Sequence, residues 1–122
     1  MTMIDPVTLA LVRSALDAGV MRQVVHANNV ANANTAGYRP FQVVFEEGLD
    51  EVRDAVDDGR ADELDAQAMP AAQLQQLPAG TAVSLDNEVA AMSQNSLQYQ
   101  ALTKALGRHY ALLSLAVSEG RR

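Results

Sequence analysis

The chain has 122 residues, no cysteine, a formal charge of −6, and only two Phe, three Tyr and no Trp. That length accommodates one domain, the lack of thiols excludes disulfides and thiolate metal sites, and the acidic balance disfavours nucleic acid, whose phosphates need clustered Lys and Arg. No apolar run nears the ~18 residues of a membrane span, and the start, Met1-Thr-Met-Ile-Asp-Pro6, carries no conventional secretory signal.

Asp5 suits a helix N-cap and Pro6 a first turn. From there Leu9, Val12, Leu16, Val20, Val24, Ala27 and Ala31 form a stripe near the helical period, which predicts a long helix. Leu11, Met21 and Val25 lie off the stripe, and only Arg13, Asp17 and Arg22 are charged between Pro6 and Tyr38. A helix apolar on several sides is covered on several sides. Gly19 lowers helix stability by about 1 kcal/mol relative to Ala. It reads either as a tolerated residue or as a point of close approach by a neighbouring helix.

Next comes an Asn-rich stretch with Asn at 28, 29, 32 and 34. Asn34-Thr35-Ala36-Gly37 reads as the helix end, with Gly37 supplying a left-handed backbone. Pro40 keeps the helix from resuming and biases Arg39 towards an extended conformation. Asn side chains there either decorate the end or satisfy buried backbone groups with their amide donors and acceptor.

Phe41 to Phe45 reads as a short strand or extended arm. Ten of the fifteen acidic residues fall between Glu46 and Asp65, where Leu49, Val52 and Val56 are spaced for a short amphipathic helix. These carboxylates read as a solvated face. A calcium loop begun at Asp54 would place Val56 on a ligand position and Asp65 where a Glu belongs. Ala66 to Gly80, rich in Ala, Gln and Pro, reads as a linker or weakly ordered insertion.

The last third is predicted to be one helix, capped by Ser84 with Asp86 and Glu88 near its positive end. Leu85, Val89, Met92, Ser96, Tyr99, Thr103, Leu106, Tyr110, Leu113 and Val117 are spaced 4,3,4,3,4,3,4,3,4. That is a heptad seam, the pattern of a helix that wraps another helix. Between Val89 and Val117 only Lys104 and Arg108 are charged, and Leu97, Leu102, Leu112 and Leu115 lie off the seam. Ser96 and Thr103 read as register-setting residues, Tyr99 and Tyr110 as packing residues with hydroxyls at the rim, and Gly107 as a close-packing point. The fold expected is mainly α: two long terminal helices pairing as a coiled-coil-like hairpin, with a short, partly extended or weakly ordered middle. The expected divisions are 1–38, 39–82 and 83–122.

Catalytic chemistry is not visible. His26 and His109 stand on different helices without a nearby second His, and neither a phosphate loop nor a nucleophile arrangement stands out. No catalytic residue, cofactor or metal is expected.

Asn28-Asn-Val-Ala-Asn-Ala-Asn-Thr-Ala-Gly-Tyr38 resembles the N-x-I/V-A-N-x-x-T-P-G-Y signature of bacterial flagellar rod and hook proteins. It matches at Asn28, Val30, Ala31, Asn32, Thr35, Gly37 and Tyr38, and departs at Asn34 and at Ala36, where Pro is usual. Val83 to Leu102, VSLDNEVAAMSQNSLQYQAL, is similar to the corresponding run of the proximal-rod branch. The A-x-R-A-Y-E-A-N run of a sister branch is absent.

The resemblance implies a structural subunit of the basal-body rod, built by lateral and axial packing of terminal helices. It implies a periplasmic rod location, export without a cleaved signal through the flagellar type III gate, and no enzyme activity. The implied partners are further copies, the rod proteins FlgC, FlgF and FlgG, and the base-linking protein FliE. Phe45-Glu-Glu-Gly-Leu49 fits the Phe-x-x-x-apolar pattern that export substrates of this kind present to the gate, as does Phe41 with Phe45; simple packing is the competing reading. The rival assignments are a helical adaptor or secretion chaperone acting as a discrete dimer, a helical-bundle enzyme, and a distal rod or hook protein. The enzyme would need inward-facing His or paired carboxylates, and distal rod or hook chains carry large β insertions that 41–82 is too short to hold.

Overall fold

The computed structural model describes residues 6–64 and 69–120, so the cap expected at Asp5 and the loop end at Asp65 lie outside the described residues. Helix α1 (Pro6–Ala31) is followed by strand β1 (Phe41–Val44) and helix α2 (Glu46–Asp57). A single 3₁₀ turn (Ala61–Glu63), strand β2 (Gln73–Gln76) and helix α3 (Leu85–Glu119) complete the chain. At 1.5 Å per residue, α3 is roughly 50 Å long. None of these helices is long and apolar enough to cross a membrane.

The two long helices pair antiparallel, as the heptad pattern predicts. His26 of α1 meets Glu88 near the start of α3, and Gly19 meets Asn95 further along. Ala15 and Leu102 line one hollow beyond that. The faces that meet differ from those expected. On α1, Val20 and Val24 are 52% and 56% exposed, while Ala18, Gly19, Val25 and Asn29 are buried. The inward series Ala15, Gly19, Arg22, His26 and Asn29 is spaced 4,3,4,3. At Ala15 and Gly19 on this face, small side chains let the two backbones approach. A Cβ on Gly19 would stand 3.1 Å from Cδ2 of Tyr99, so the close-approach reading of Gly19 holds. Gly107, in contrast, is exposed with nothing near a Cβ, and is not a packing point within this chain.

Helix α1 ends at Ala31, about a turn before the expected stop, and Gly37 with φ 77° belongs to a separate turn. Ser84 occupies the N-cap position of α3 in an extended conformation, but its hydroxyl makes no capping bond. Its carbonyl accepts the Glu88 N–H at 2.9 Å.

β1 appears where a strand or arm was expected, whereas β2 forms inside the presumed linker. The strands run antiparallel, pairing Phe41 with Gln76, Gln42 with Gln75, Val43 with Leu74 and Val44 with Gln73. The Leu77 N–H donates to the Pro40 carbonyl at 2.8 Å, and Gln42 Nε2 donates to Gln75 Oε1 at 2.6 Å. Such a ribbon is marginal alone; it lies against α1. On α2, Val52 and Ala55 are buried and Val56 is exposed, so Ala55 replaces Val56 on the covered face. The stretch from Asp54 to Asp57 is helical, which removes the start of a calcium loop.

Candidate assembly surface

The signature stretch folds into a knot around a residue the pattern leaves unspecified. After α1 ends, two successive turns follow, closed by Thr35 N–H to Asn32 O at 3.0 Å and Tyr38 N–H to Thr35 O at 3.2 Å. Asn32 Nδ2 donates to the Asn28 carbonyl at 2.9 Å, and the Thr35 hydroxyl donates to Asn32 Oδ1 at 3.2 Å. The chain thereby reverses and brings Tyr38 and Phe41 onto Asn29, which is 1% exposed.

Asn29 Oδ1 accepts the Tyr38 hydroxyl at 2.7 Å and the Phe41 N–H at 3.2 Å, while its Nδ2 donates to the Phe41 carbonyl at 2.9 Å. In an antiparallel ladder, residues alternate between bonding across and bonding outward. With Pro40 bonded to Leu77, the peptide groups of Phe41 point outward, and the Asn29 amide pairs with them as a third strand would. Of the motif residues, Asn28, Ala31, Thr35 and Gly37 are exposed, and Val30, Asn32 and Tyr38 are half-buried.

The interface between α1 and α3 carries a second buried amide. Asn95 Nδ2 donates to the Gly19 carbonyl and to Gln23 Oε1, each at 2.9 Å. A turn or two away, His26 Nδ1 lies 2.6 Å from Glu88 Oε2 in a half-buried pair. Burial, and after it the Glu88 carboxylate, push the Tyr38 phenol above its ordinary 10.0.

Helix α3 carries two overlapping heptad seams. Residues 88, 92, 95, 99, 102, 106, 109 and 113, spaced 4,3,4,3,4,3,4, are all half-buried or buried. Met92, Tyr99, Leu106 and Leu113 also belong to the seam expected from hydropathy. The remainder of that expected seam does not face α1: Leu85, Val89, Thr103, Tyr110 and Val117 are exposed, and Ser96 is half-buried. The half that faces α1 was missed because Glu88, Asn95 and His109 are polar, and a count of apolar residues passes over them. Asn29 follows the second of the two readings of the Asn-rich stretch, satisfying the Phe41 backbone groups with its amide.

The exposed flank of α3 and the Val20–Val24 ridge of α1 bound an open groove. Gly19, Val20, Gln23 and Val24 form one bank; Asn95, Ser96, Tyr99 and Gln100 form the other. It continues along α3 past Val89, Met92, Ser93 and Leu97. No lining residue carries a formal charge. On the opposite side of the same ridge, Val24, Val25, Phe41 and Leu74 line a second shallow hollow. Apolar and uncharged polar side chains line the groove, a surface that can receive a helix.

Phe45 is buried, with the Arg22 guanidinium 5.9 Å from its ring centroid, so in the folded chain it is a packing residue. Leu49 lies in α2, and its side chain is outside the described residues.

A family profile described as "Flagella basal body rod protein" matches residues 12–39, the stretch that includes Gly19, Asn29 and the double turn. The chain is similar to the "Flagellar basal body rod protein FlgB" of Escherichia coli (strain K12), at 33% identity over 85% of this chain and 89% of that protein. The protein of the same description from Bacillus subtilis (strain 168) is 23% identical over 93% of this chain and 95% of its own length.

Proposed function

The chain belongs to the flagellar basal body rod proteins, and from that premise we propose that its hairpin is completed by neighbouring subunits packed on the open flank of α3 and the Val20–Val24 ridge. It is a structural subunit of the basal-body rod and serves flagellum-driven motility. One observation carries the assembly reading. Val89, Tyr110 and Val117 continue a heptad seam, yet stand 49%, 45% and 57% exposed in the single chain. Covering an exposed Val or Leu contributes about 1.5 kcal/mol or more per side chain. The Ser, Gln and Asn between them can hydrogen-bond across an interface without the desolvation cost of buried charge.

The rod setting supplies the partners. Copies of the chain, the rod proteins FlgC, FlgF and FlgG and the base-linking protein FliE are the neighbours this reading assigns. The stretches 1–38 and 83–122 assemble, and 39–82 forms the variable insert. The rod site is periplasmic, reached through the flagellar type III gate without signal cleavage. Recognition by Phe45 and Leu49 would act on the unfolded chain, since Phe45 is buried once folded. A hairpin that gains most of its stability from packing with neighbours can thread a channel unfolded and order on docking. No catalysis, cofactor or metal enters this role.

The test is side-chain-resolution imaging of basal bodies from cells whose only copy of the gene encodes this chain. The reading expects the open flank of α3 in contact with other subunits. A rod in which that flank faces water throughout would overturn it.

A further inference from the structure

The ribbon of β1 and β2 has one closed edge and one open edge. The Leu77 N–H bonds across it to the Pro40 carbonyl, so in this register Gln75 bonds across to Gln42 and Gln73 to Val44. The peptide groups of Phe41 and Val43 on β1, and of Leu74 and Gln76 on β2, therefore point outward. On the β1 side the Asn29 amide pairs with the Phe41 groups. On the other side all four residues of β2 are exposed, and among the described residues the sheet has no third strand.

Exposed edges are usually blunted by charge, by Pro or by a bulge. Here residues 69–80 carry no charge, Pro70 and Pro78 stand outside the strand, and the register runs unbroken. The edge is also self-complementary. About a two-fold axis through Gln75, Leu74 of one copy meets Gln76 of the other, and every outward N–H and C=O of these residues finds a partner. On the face shared with Phe41, Leu74 is 56% exposed in the single chain. It becomes a diagonal neighbour of its counterpart, about 7–8 Å away and within reach of a long side chain. On the opposite face Gln75 stands directly across from Gln75 of the second copy. Gln42 Nε2 donates to Gln75 Oε1 at 2.6 Å, which leaves the Gln75 Nε2 to extend the amide chain over the axis.

We propose that β2 is a pairing edge for β2 of a second copy, joining two ribbons antiparallel about Gln75 into one four-stranded sheet. A two-stranded ribbon is marginal by itself, whereas three or more strands backed by a helix can be stable. Pairing supplies what each ribbon lacks. The contact uses the middle segment and leaves the terminal helices aside. Being isologous, it ends at two copies, so it describes the chain before it enters a rod and goes beyond the rod-subunit reading.

The chain has no native cysteine, so disulfide trapping in the purified full-length chain reads the contact directly. Residues opposite each other at a position not bonded across stand about 4.5 Å apart at Cα, within disulfide range. Gln75→Cys should therefore form a covalent dimer on mild oxidation. Gln73→Cys is the control, since its counterpart would lie about 14 Å away at the strand rise per residue. The Gln75→Cys dimer should form at least about tenfold faster, because only that position meets the geometry of the bond.

Two further substitutions, each added to Gln75→Cys, block the edge in different ways. Gln76→Pro removes an outward N–H that takes no part in the β1–β2 ladder. Leu74→Lys keeps the backbone intact and sets like charges diagonally across the axis, which guards against a Pro that disturbs the ribbon. At least one of them should return trapping to the Gln73→Cys rate. Equal rates for Gln75→Cys and Gln73→Cys, or trapping that both added substitutions leave unchanged, would overturn the proposal. Neither result bears on the α3 flank that carries the rod reading.

Discussion

Asn95 reaches across the helix pair to donate one amide proton to the carbonyl of Gly19, 76 positions earlier, at 2.9 Å. That carbonyl sits where the helix surface is bare, because Gly19 has no side chain to shield it. A buried amide at a seam position fixes register more than it adds stability. The donor is what matters. Asn95→Asp, the same size, would aim a carboxylate at the Gly19 carbonyl and Gln23 Oε1, while Asn95→Ala only removes the bonds, at about 1 kcal/mol. Thermal unfolding should rank Asp below Ala, and Ala below the native chain. An Asp variant as stable as the Ala variant would show that Asn95 is not acting as a donor.

Gly19 opposite Tyr99 sets two effects against each other. Ala gains about 1 kcal/mol of helix propensity over Gly, yet its Cβ would sit 3.1 Å from the Tyr99 ring. Tyr99 is only half-buried and can yield a little, so Gly19→Ala is expected to be near neutral. Gly19→Val has no such escape, and overpacking of this kind costs about 1–3 kcal/mol. The denaturation midpoint should fall for Val alone, with weaker protection of the α1 and α3 amides from hydrogen exchange.

Asn29 joins α1, the double turn and the ribbon through three hydrogen bonds, all lost in Asn29→Ala. Tyr38 can turn its hydroxyl to water, but the Phe41 N–H and C=O would lose their side-chain partner against α1. At about 1–3 kcal/mol per buried group left unpaired, the loss should be about 3 kcal/mol. Hydrogen exchange should accelerate first at β1 and β2, before the centre of α3. Uniform acceleration would mean that Asn29 serves α1 alone.

The pairing of two long charge-poor helices was legible because 4,3 spacing sustained from Leu85 to Val117 has few alternative explanations. Which face turns inward was only half legible. On the proposed reading the exposed apolar residues are covered by neighbouring subunits, whereas the chain alone buries Gly19, Asn29 and Asn95, which hydropathy ranks low. Val20 and Val24 were placed in the core stripe for that reason, and they are exposed. β2 went unseen because Gln-Leu-Gln-Gln has neither β-branched residues nor a sustained alternation. Its pairing is set by β1 across the chain.

The two faces predict opposite phenotypes for one substitution type. Leu106→Asp puts a carboxylate on the seam that faces α1, so it should lower the unfolding midpoint of the purified chain and also abolish motility. Val24→Asp lies on the open ridge, where a charge meets water in the single chain. Its unfolding free energy should stay within about 0.5 kcal/mol of native, while rod incorporation and swimming are lost. Unimpaired swimming with Val24→Asp would mean that the ridge stays solvated in the assembled rod.

Tyr38 gives the chain an alkaline limit with a definite sign. The neutral phenol donates to Asn29 Oδ1 at 2.7 Å, which a phenolate cannot do. Burial and the Glu88 carboxylate further disfavour the anion, holding its pKa above 10.0. In the unfolded chain the phenol ionises near its ordinary value of about 10. Above that pH the unfolded state has released a proton that the folded state retains, so stability falls with rising pH. The contribution is complete below about pH 10 and disappears as pH climbs through the raised value. In Tyr38→Phe this part of the alkaline decline should vanish, at a cost of about 1 kcal/mol at neutral pH for the lost hydrogen bond. The phenolate absorbance present in the native chain and missing from Tyr38→Phe should titrate with a midpoint above 10.0. A midpoint at or below 10.0 would mean that Tyr38 is not held neutral by the fold, and that its bond to Asn29 is not what ties the double turn to α1.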